Sequence, residues 1–481
     1  TWNALDGQSG ENGYLRTRGT YSKKLPAEKA ACCLKIGAAN SKSAVRLNGE
    51  TLAVHEGGYS AIFVPLTGKL IREENLLEID ADNSPDESVY PTMADFTFYG
   101  GLYRGVELLT FPEKHFDVTL NGSGVFVTPA KQKDGWLAEV TFVTVGTLPG
   151  DKVTLTLADA EGNAVASATV TAESGKATLP VFSPRLWDVD DPYLYTLTAE
   201  IAGGDSVSVE TGFRTVAFDA DKGFFLNGRH LKIKGVSRHQ DRENMGNALT
   251  PAEHEEDIRL IKEVGANSVR LAHYQHSDYF YTLCDRAGLL VWAEVPVISR
   301  FSKKRQQNAL SQLRELILQS KNHPSIFTWS IANEITIAGE SRGLEKALRE
   351  LNDLAHSLDP TRPTAMAAVT MCPAASPLNS ITDILGYNHY YGWYVGVFTD
   401  LDKWLANWRK VAPDKKLCLS EYGAEGILRY QGASPVPGDY SEGYQAIFHE
   451  NYIERINAAE WMWGSYVWNM FDFGSAARNE G

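Results

Sequence analysis

The sequence predicts a multidomain chain in which two β-sandwiches precede a parallel (β/α)8 barrel. Two rhythms and a composition carry that prediction. Up to about residue 216, short apolar–polar alternations are broken by Gly, Asn, Asp and Pro, as in Val45-Arg46-Leu47-Asn48-Gly49 and Val153-Thr154-Leu155-Thr156-Leu157. That is the period-two pattern of half-buried strands. After residue 220 an apolar strand, a polar turn and an amphipathic helix alternate. The 481 residues are 43% hydrophobic and 22% charged, with 11 Trp, 21 Tyr and 19 Phe, which is enough material for several cores.

Pro112, Glu113 and Lys114 divide the β half into 1–112 and 113–216, each the size of one sandwich. The remainder, 217–481, is read as the barrel. Its first helix opens with Thr250-Pro251-Ala252-Glu253, a capping box with Pro at the first helical position. Ile258, Ile261 and Val264 follow on one face, and Gly265 stops the helix. Further helices present Leu310, Leu313 and Ile317, then Leu344, Leu348 and Leu351, then Trp404, Trp408 and Val411 on one side. Strands are expected at 231–237, 267–273, 289–294, 326–332, 364–370, 383–388, 416–420 and 464–470. Eight such strands over about 260 residues fit a closed barrel. An open doubly wound sheet is the alternative, and no Gly-x-Gly-x-x-Gly or P-loop opens any of these helices to suggest a nucleotide cofactor.

Charge and hydropathy narrow the partners. Forty-six Lys and Arg against 60 Asp and Glu leave a net charge of −14, a field that repels nucleic acid. The most apolar stretch, 289–298, is interrupted by Glu294 and Pro296, well short of the roughly 20 residues a membrane span needs. The chain begins with Thr1, so a removed leader stays open and the compartment stays undecided between cytoplasm and periplasm. Cys32, Cys33, Cys284, Cys372 and Cys418 are odd in number and lack metal-ligand spacing; they read as reduced, buried thiols.

Barrel chemistry sits at the C-terminal ends of the strands. Those ends carry His239 and Asp241, His273 and His276, Glu294, Asn333 and Glu334, Asn388, His389 and Tyr390, Glu421, and Trp468, Asn469 and Asp472. Glu294 and Asp472 read as supports for nearby histidines. Trp468 and the run Tyr390-Tyr391-Gly392-Trp393-Tyr394 suit either the core or a platform for the apolar face of a ring. Glu334 and Glu421 stand apart. Each directly follows or ends an apolar strand, so each carboxylate is delivered where water is scarce. Two such acids facing one pocket suit glycosidic-bond cleavage, one protonated to serve the leaving oxygen and one ionised to attack. Retention would require their oxygens about 5–5.5 Å apart. Acyl transfer lacks a Gly-x-Ser-x-Gly elbow. A metallohydrolase built from His239, Asp241, His273 and His276 ranks second among enzymes, without His-Glu-x-x-His spacing. A non-catalytic carbohydrate-binding protein is the alternative of another class.

Asn322-His323-Pro324-Ser325, Trp329 to Glu334, Asn388 to Tyr394, and Ser420-Glu421-Tyr422-Gly423 resemble glycoside hydrolase family 2. So do Val45 to Gly49, Gly57-Gly58-Tyr59-Ser60 and Phe96 to Arg104 in the β half. The resemblance covers nearly the whole chain. It implies a jelly-roll and then an immunoglobulin-like sandwich before the barrel, and a retaining exo-glycosidase acting on an oligosaccharide or small glycoside without a cofactor. It further implies Glu334 as acid/base, Glu421 as nucleophile, Asn333 at the sugar 2-hydroxyl and Tyr390 beside the nucleophile. Within the family the resemblance is strongest to β-galactosidases, through Ala94 to Gly101, Trp468 to Phe473 and Arg478-Asn479-Glu480-Gly481. On that reading Asp95, His239, His273 and Trp468 bind the sugar. β-Glucuronidase is the alternative, because the Asn-x-Lys motif that marks it falls beyond Gly481. Ile298 and Arg300 stand where large bacterial β-galactosidases hold magnesium, so no metal is expected. The last barrel helix is unrepresented, which reads as a fragment, and a homo-oligomer stays open.

Overall fold

The computed structural model describes residues 1–3, 14–476 and 478. Near the N-terminus, antiparallel strands Arg18–Pro26, Glu74–Asp82, Lys42–Leu47 and Glu50–Glu56 form one sheet. Ile62–Pro65, Ala31–Ile36 and Val106–Phe111 form the facing one. Alternation decides which face is inward: Ser43, Val45 and Leu47 are buried while Lys42, Ala44 and Arg46 lie between them. Leu34, Ile36, Val64, Leu77 and Ile79 complete this core.

A second sandwich packs Val125–Gln132, Gly135–Phe142 and Lys176–Val181 against a four-stranded sheet. That sheet runs in the order Ala164–Thr171, Lys152–Ala158, Tyr195–Ile201 and Ser206–Thr211. Val153, Leu155 and Leu157 point inward together with Trp136, Leu179, Leu197 and Phe213. The hairpin Val216–Asp219/Gly223–Leu226 then packs Phe224 and Leu226 with Ile233, Leu290, Phe327 and Trp463, which belong to the N-terminal ends of the barrel strands or precede them. This plug closes the barrel floor.

The barrel is closed and parallel. Its strands are β1 (Ile233–Arg238), β2 (Ser268–Leu271), β3 (Leu290–Glu294), β4 (Ile326–Asn333), β5 (Thr364–Val369), β6 (Ile384–Asn388), β7 (Leu417–Tyr422) and β8 (Gly464–Val467). All eight lie within a few residues of the expected positions. The helices are α1 (Pro251–Glu263), α2 (Asp278–Ala287), α3 (Gln306–Ser320), α4 (Arg342–Leu358), α5 (Phe398–Val411) and α6 (Glu442–Ala458). α1 starts as expected, with Thr250 N donating to Glu253 Oε2 at 2.7 Å, and Gly265 beyond its end is left-handed at φ 80°. The alternation fails once between strands. Between β5 and β6 the chain makes only a 3-10 turn, Pro377–Ser380, because Pro373 and Pro377 leave no uninterrupted run for a helix. All five cysteines are free and buried, as the sequence reading expects.

The segment between Glu74–Asp82 and Val106–Phe111 leaves the first sandwich and lies across the barrel mouth. Tyr90 N donates to Asn308 Oδ1 at 2.9 Å, Tyr99 OH donates to Asp241 Oδ2 at 2.8 Å, and Thr97 N donates to Gly474 O at 2.9 Å. Tyr59 stacks on Tyr274 with centroids 4.2 Å apart. The sandwich thus becomes a wall of the mouth.

Candidate active site

Glu421 lies in β7 and is buried. Arg270 of β2 donates from Nη1 to its Oε1 at 2.6 Å, and Tyr390 OH donates to its Oε2 at 2.7 Å. A guanidinium and a phenol thus engage both oxygens of this carboxyl and fix its orientation. Burial, followed by the charges of Glu421 and Glu334, raises the Tyr390 phenol, so it remains a proton donor to that oxygen.

Glu334 immediately follows β4 and takes a left-handed backbone, φ 47°, which is rare for a residue with a Cβ. Its hydrogen-bond donor is neutral: Asn388 Nδ2 donates to Oε1 at 2.9 Å. Burial first, then the charge of Glu421, push its carboxyl up to about 8, with a smaller contribution from Asp95. At neutral pH it therefore keeps its proton. Two carboxyls of one mouth thus sit in unlike surroundings, a cation and a phenol at Glu421 and a neutral amide at Glu334, the kind of inequality that acid-assisted displacement needs.

Arg270 is the hub between them. Besides Glu421 it donates from Nε to Glu294 Oε1 at 2.7 Å, from Nη2 to Asn333 Oδ1 at 2.9 Å and from Nη1 to Ser420 O at 3.1 Å. Burial disfavours its charge, but Glu294 and Glu421 outweigh that and raise its pKa. Asn333 Oδ1 also accepts from Asn388 Nδ2 at 3.3 Å, which makes the Asn333 amide nitrogen its free donor end. Asn388 is oriented in turn by Ser420 Oγ, 2.6 Å from its Oδ1. Ser420 comes that close because Gly386 stands beside it; a Cβ there would lie 2.5 Å from the Ser420 Cβ.

The aromatic and imidazole side follows. His273 Nδ1 bonds Glu294 Oε2 at 2.8 Å, and Trp468 stacks on its ring at 5.0 Å. His239 bonds Tyr274 OH at 3.1 Å through Nδ1, while its buried Nε2 has no protein partner. Burial followed by the charges of His273 and Arg270 keeps His239 neutral. Phe96 brings the sandwich to this wall, 4.8 Å from His239 and 6.1 Å from His273. Asp95 is exposed next to it, with Arg478 Nη1 3.8 Å from its Oδ2.

The structure therefore gathers Asp95, His239, His273, Asn333, Glu334, Tyr390, Glu421 and Trp468 around one mouth. Glu294 is the support the sequence suggests, whereas Asp472 is exposed. The aromatic run divides. Tyr390 reaches Glu421 and Tyr394 is exposed with its OH on Glu425, while Tyr391 and Trp393 pack against the core. His276 is also structural, bonded to Arg238 and the Ala272 carbonyl. Arg270 was the residue missing from the expectations. Its signal was a lone Arg inside the buried strand Ser-Val-Arg-Leu, a position that demands carboxylate partners. Ile298 is packed with Phe96 and Tyr274, an apolar setting, and among the described residues no three His, Cys, Asp or Glu side chains gather as a ligand set. Asn479, Glu480 and Gly481, part of the resemblance, lie outside the described residues.

The model of the glycosyl hydrolases family 2 TIM barrel domain matches residues 219–480, and that of glycosyl hydrolases family 2 matches 123–214. The chain belongs to glycoside hydrolase family 2. A β-glucuronidase of Bacteroides fragilis is 35% identical over 524 aligned residues, covering 100% of this chain and 73% of its own length. The crystal structure of an FMN-binding β-glucuronidase from Facaelibacterium prausnitzii L2-6 superposes with a TM-score of 0.97 at 41% identity, over 100% of this chain and 77% of that one. The β-galactosidase BoGH2A of Bacteroides ovatus is 28% identical, over 95% of this chain and 60% of its own. This family-2 chain is thus a glycoside hydrolase. No helix among its described residues is long and apolar enough to cross a membrane.

Proposed function

We propose that this hydrolase is a retaining exo-β-glycosidase that removes terminal β-linked glucuronic acid, with Glu334 as acid/base and Glu421 as nucleophile. The opposed environments of the two acids carry the reading: Glu421 accepts from a cation and a phenol, while Glu334 is pushed up to about 8 beside it. In the first displacement a Glu421 oxygen attacks the anomeric carbon and forms a glycosyl ester. The Glu334 proton passes to the glycosidic oxygen, which leaves as the alcohol. Esterification removes the Glu421 charge that helps hold the proton on Glu334. The Glu334 pKa falls, and the carboxylate takes a proton from the water whose oxygen attacks the same carbon. The bond to Glu421 breaks and the sugar leaves with its configuration retained.

Asn333, fixed by Arg270, would donate to a sugar hydroxyl, His239 Nε2 and Asp95 would bind others, and Trp468 would face the ring. The sugar is where the sequence reading changes. It put galactose first, but the 35% and 41% identical relatives are named for glucuronide hydrolysis, and the β-galactosidase named above is more distant. β-Galactosidase is therefore the second reading.

A panel of aryl β-glycosides with Glu421→Gln as control tests both levels. Turnover of the glucuronide well above the galactoside is expected. Galactoside preference would reinstate the second reading, and undiminished release by Glu421→Gln would overturn the mechanism.

A further inference from the structure

At the far end of the barrel from the two acids, a crevice of about 260 Å³ lies between the second sandwich and the base of β4. Four of its lining side chains are cationic, Lys131, Arg214, Lys321 and Arg362, and the single acid among them is Asp359. Asp359 is already saturated within the barrel. Its Oδ2 accepts from Arg362 Nη1 at 2.6 Å and Trp329 Nε1 at 3.0 Å, and its Oδ1 from Thr361 N at 3.0 Å and Thr361 Oγ1 at 2.6 Å. Arg362 also donates from Nε to the Ile326 carbonyl and from Nη2 to the His323 carbonyl.

The remaining three cations have no such partner. Arg214 donates from Nε to Pro324 O and from Nη2 to Ile326 O, which leaves Nη1. Lys131 Nζ stands 5.0 Å over Trp136, and Lys321 Nζ stands 4.3 Å over Phe126. Among the described residues none of the three has a carboxylate at ion-pair distance, in a protein of net charge −14 that has acids to spare. Burial pushes Arg214 down to about 9, helped by Arg362 and only partly opposed by the more distant charges of Asp359 and Asp285; burial pushes Lys321 down as well, against Asp359. Lys131 is exposed while Arg214 and Lys321 are half-buried, and three like charges gathered at one crevice repel one another, a cost that a bound anion would offset. Trp136, Pro129 and Leu358 add apolar surface among threonines and Asn322, which leaves room for a small organic body beside the charge.

We propose that this crevice is a binding site for a phosphoryl dianion, inorganic phosphate or a small phosphate monoester, held by Lys131, Lys321 and Nη1 of Arg214. Lys supplies mobile point charges and Arg a planar donor edge, a combination suited to tetrahedral oxyanions. None of these side chains belongs to the catalytic mouth, so the proposal stands independently of the sugar and the mechanism.

Titration calorimetry on the full chain, with inorganic phosphate and phenyl phosphate in separate arms against chloride of equal ionic strength, tests it. Saturable heat in either arm below about 10 mM is expected, with the tighter arm naming the source. Lys131→Met and Lys321→Met keep the aliphatic stems. Each should weaken binding at least about tenfold while unfolding at the wild-type temperature in chloride, and phosphate should raise the wild-type unfolding temperature but not theirs. No saturable heat in either arm, or wild-type affinity in both variants, would overturn the proposal. Should a variant fold poorly, the wild-type titration decides alone.

Discussion

Replacing Glu334 by Gln should abolish hydrolysis and yet leave the folded protein more stable, by an amount that grows with pH. The folded state holds this carboxyl at about 8 against an ordinary 4.5, chiefly through burial and then through Glu421. Below pH 4.5 folded and unfolded chains both carry the proton, and the native environment costs nothing extra. Between 4.5 and about 8 the folded protein retains a proton that the unfolded chain has released, so stability falls as pH rises. Above about 8 the loss is complete. At about 1.36 kcal/mol for each pH unit of that window, the ceiling is ~5 kcal/mol, reduced by whatever water reaches the half-buried side chain. Gln carries no charge at any pH and escapes the penalty. The left-handed backbone at this position is shared by both proteins and cancels. Urea unfolding of wild type and Glu334→Gln at intervals from pH 4 to 9 should show curves that nearly coincide at the acid end and separate toward pH 8. A difference that does not change with pH would refute the assignment of a raised, proton-holding carboxyl. The same pKa predicts an alkaline limb in kcat/KM centred near 8, with about nine-tenths of Glu334 protonated at pH 7.

Tyr390→Phe removes the 2.7 Å donor to Glu421 Oε2, a hydrogen bond to a charged group worth about 1.5–3 kcal/mol, so kcat/KM should drop by about 10- to 100-fold with the fold intact; an unchanged value would separate Tyr390 from the reaction. Arg270→Met leaves Glu294 and Glu421 without their buried cation and should cost about 3–5 kcal/mol in urea unfolding, and a loss below about 1 kcal/mol would mean the hub is dispensable. Burial alone would lower His323, but Asp285 and Asp278 prevail and raise it to about 10; its stabilising charge is therefore fully present below pH 6.5 and lost as pH rises toward 10. The stability advantage of wild type over His323→Gln should shrink across that window, and a constant advantage would contradict the ion pairs.

Much of this architecture was legible in the chain because barrel strands and their helices announce themselves locally. β4 is an unbroken apolar run ending in Asn-Glu, and the α1 start combines Thr, Pro and Glu at capping positions. α6 was harder to read. Its buried stripe Tyr444, Phe448, Tyr452 and Ile456 shares the helix with half-buried Ile447 and exposed Ile453, which blur the apolar face. The two acids were legible as strand-end carboxylates, but their inequality was not. The donors that distinguish them sit on β2, on β6 and just beyond it, far away in sequence, and Arg270, absent from the sequence expectations, shows its role only through the partners that close around it.

That inequality also explains why a sandwich must touch the mouth of a barrel that could close by itself. Glu334 lies on the rim, where water would return its carboxyl toward its ordinary range. The segment carrying Asp95 and Phe96 covers one side, docked through Tyr99 to Asp241 and through Thr97 to Gly474, and it brings a further negative charge toward Glu334. Both effects favour the protonated acid. The docking is itself sensitive to pH. Burial raises Asp241 to about 6, against the opposing hydrogen bonds from Gly474 and Tyr99 that favour its charged form. Those hydrogen bonds strengthen as Asp241 ionises, in the range where Glu334 still holds its proton. Docking and acid function therefore coincide between about pH 6 and 8, and weakening the Tyr99–Asp241 contact should lower the Glu334 pKa without any change in the barrel itself.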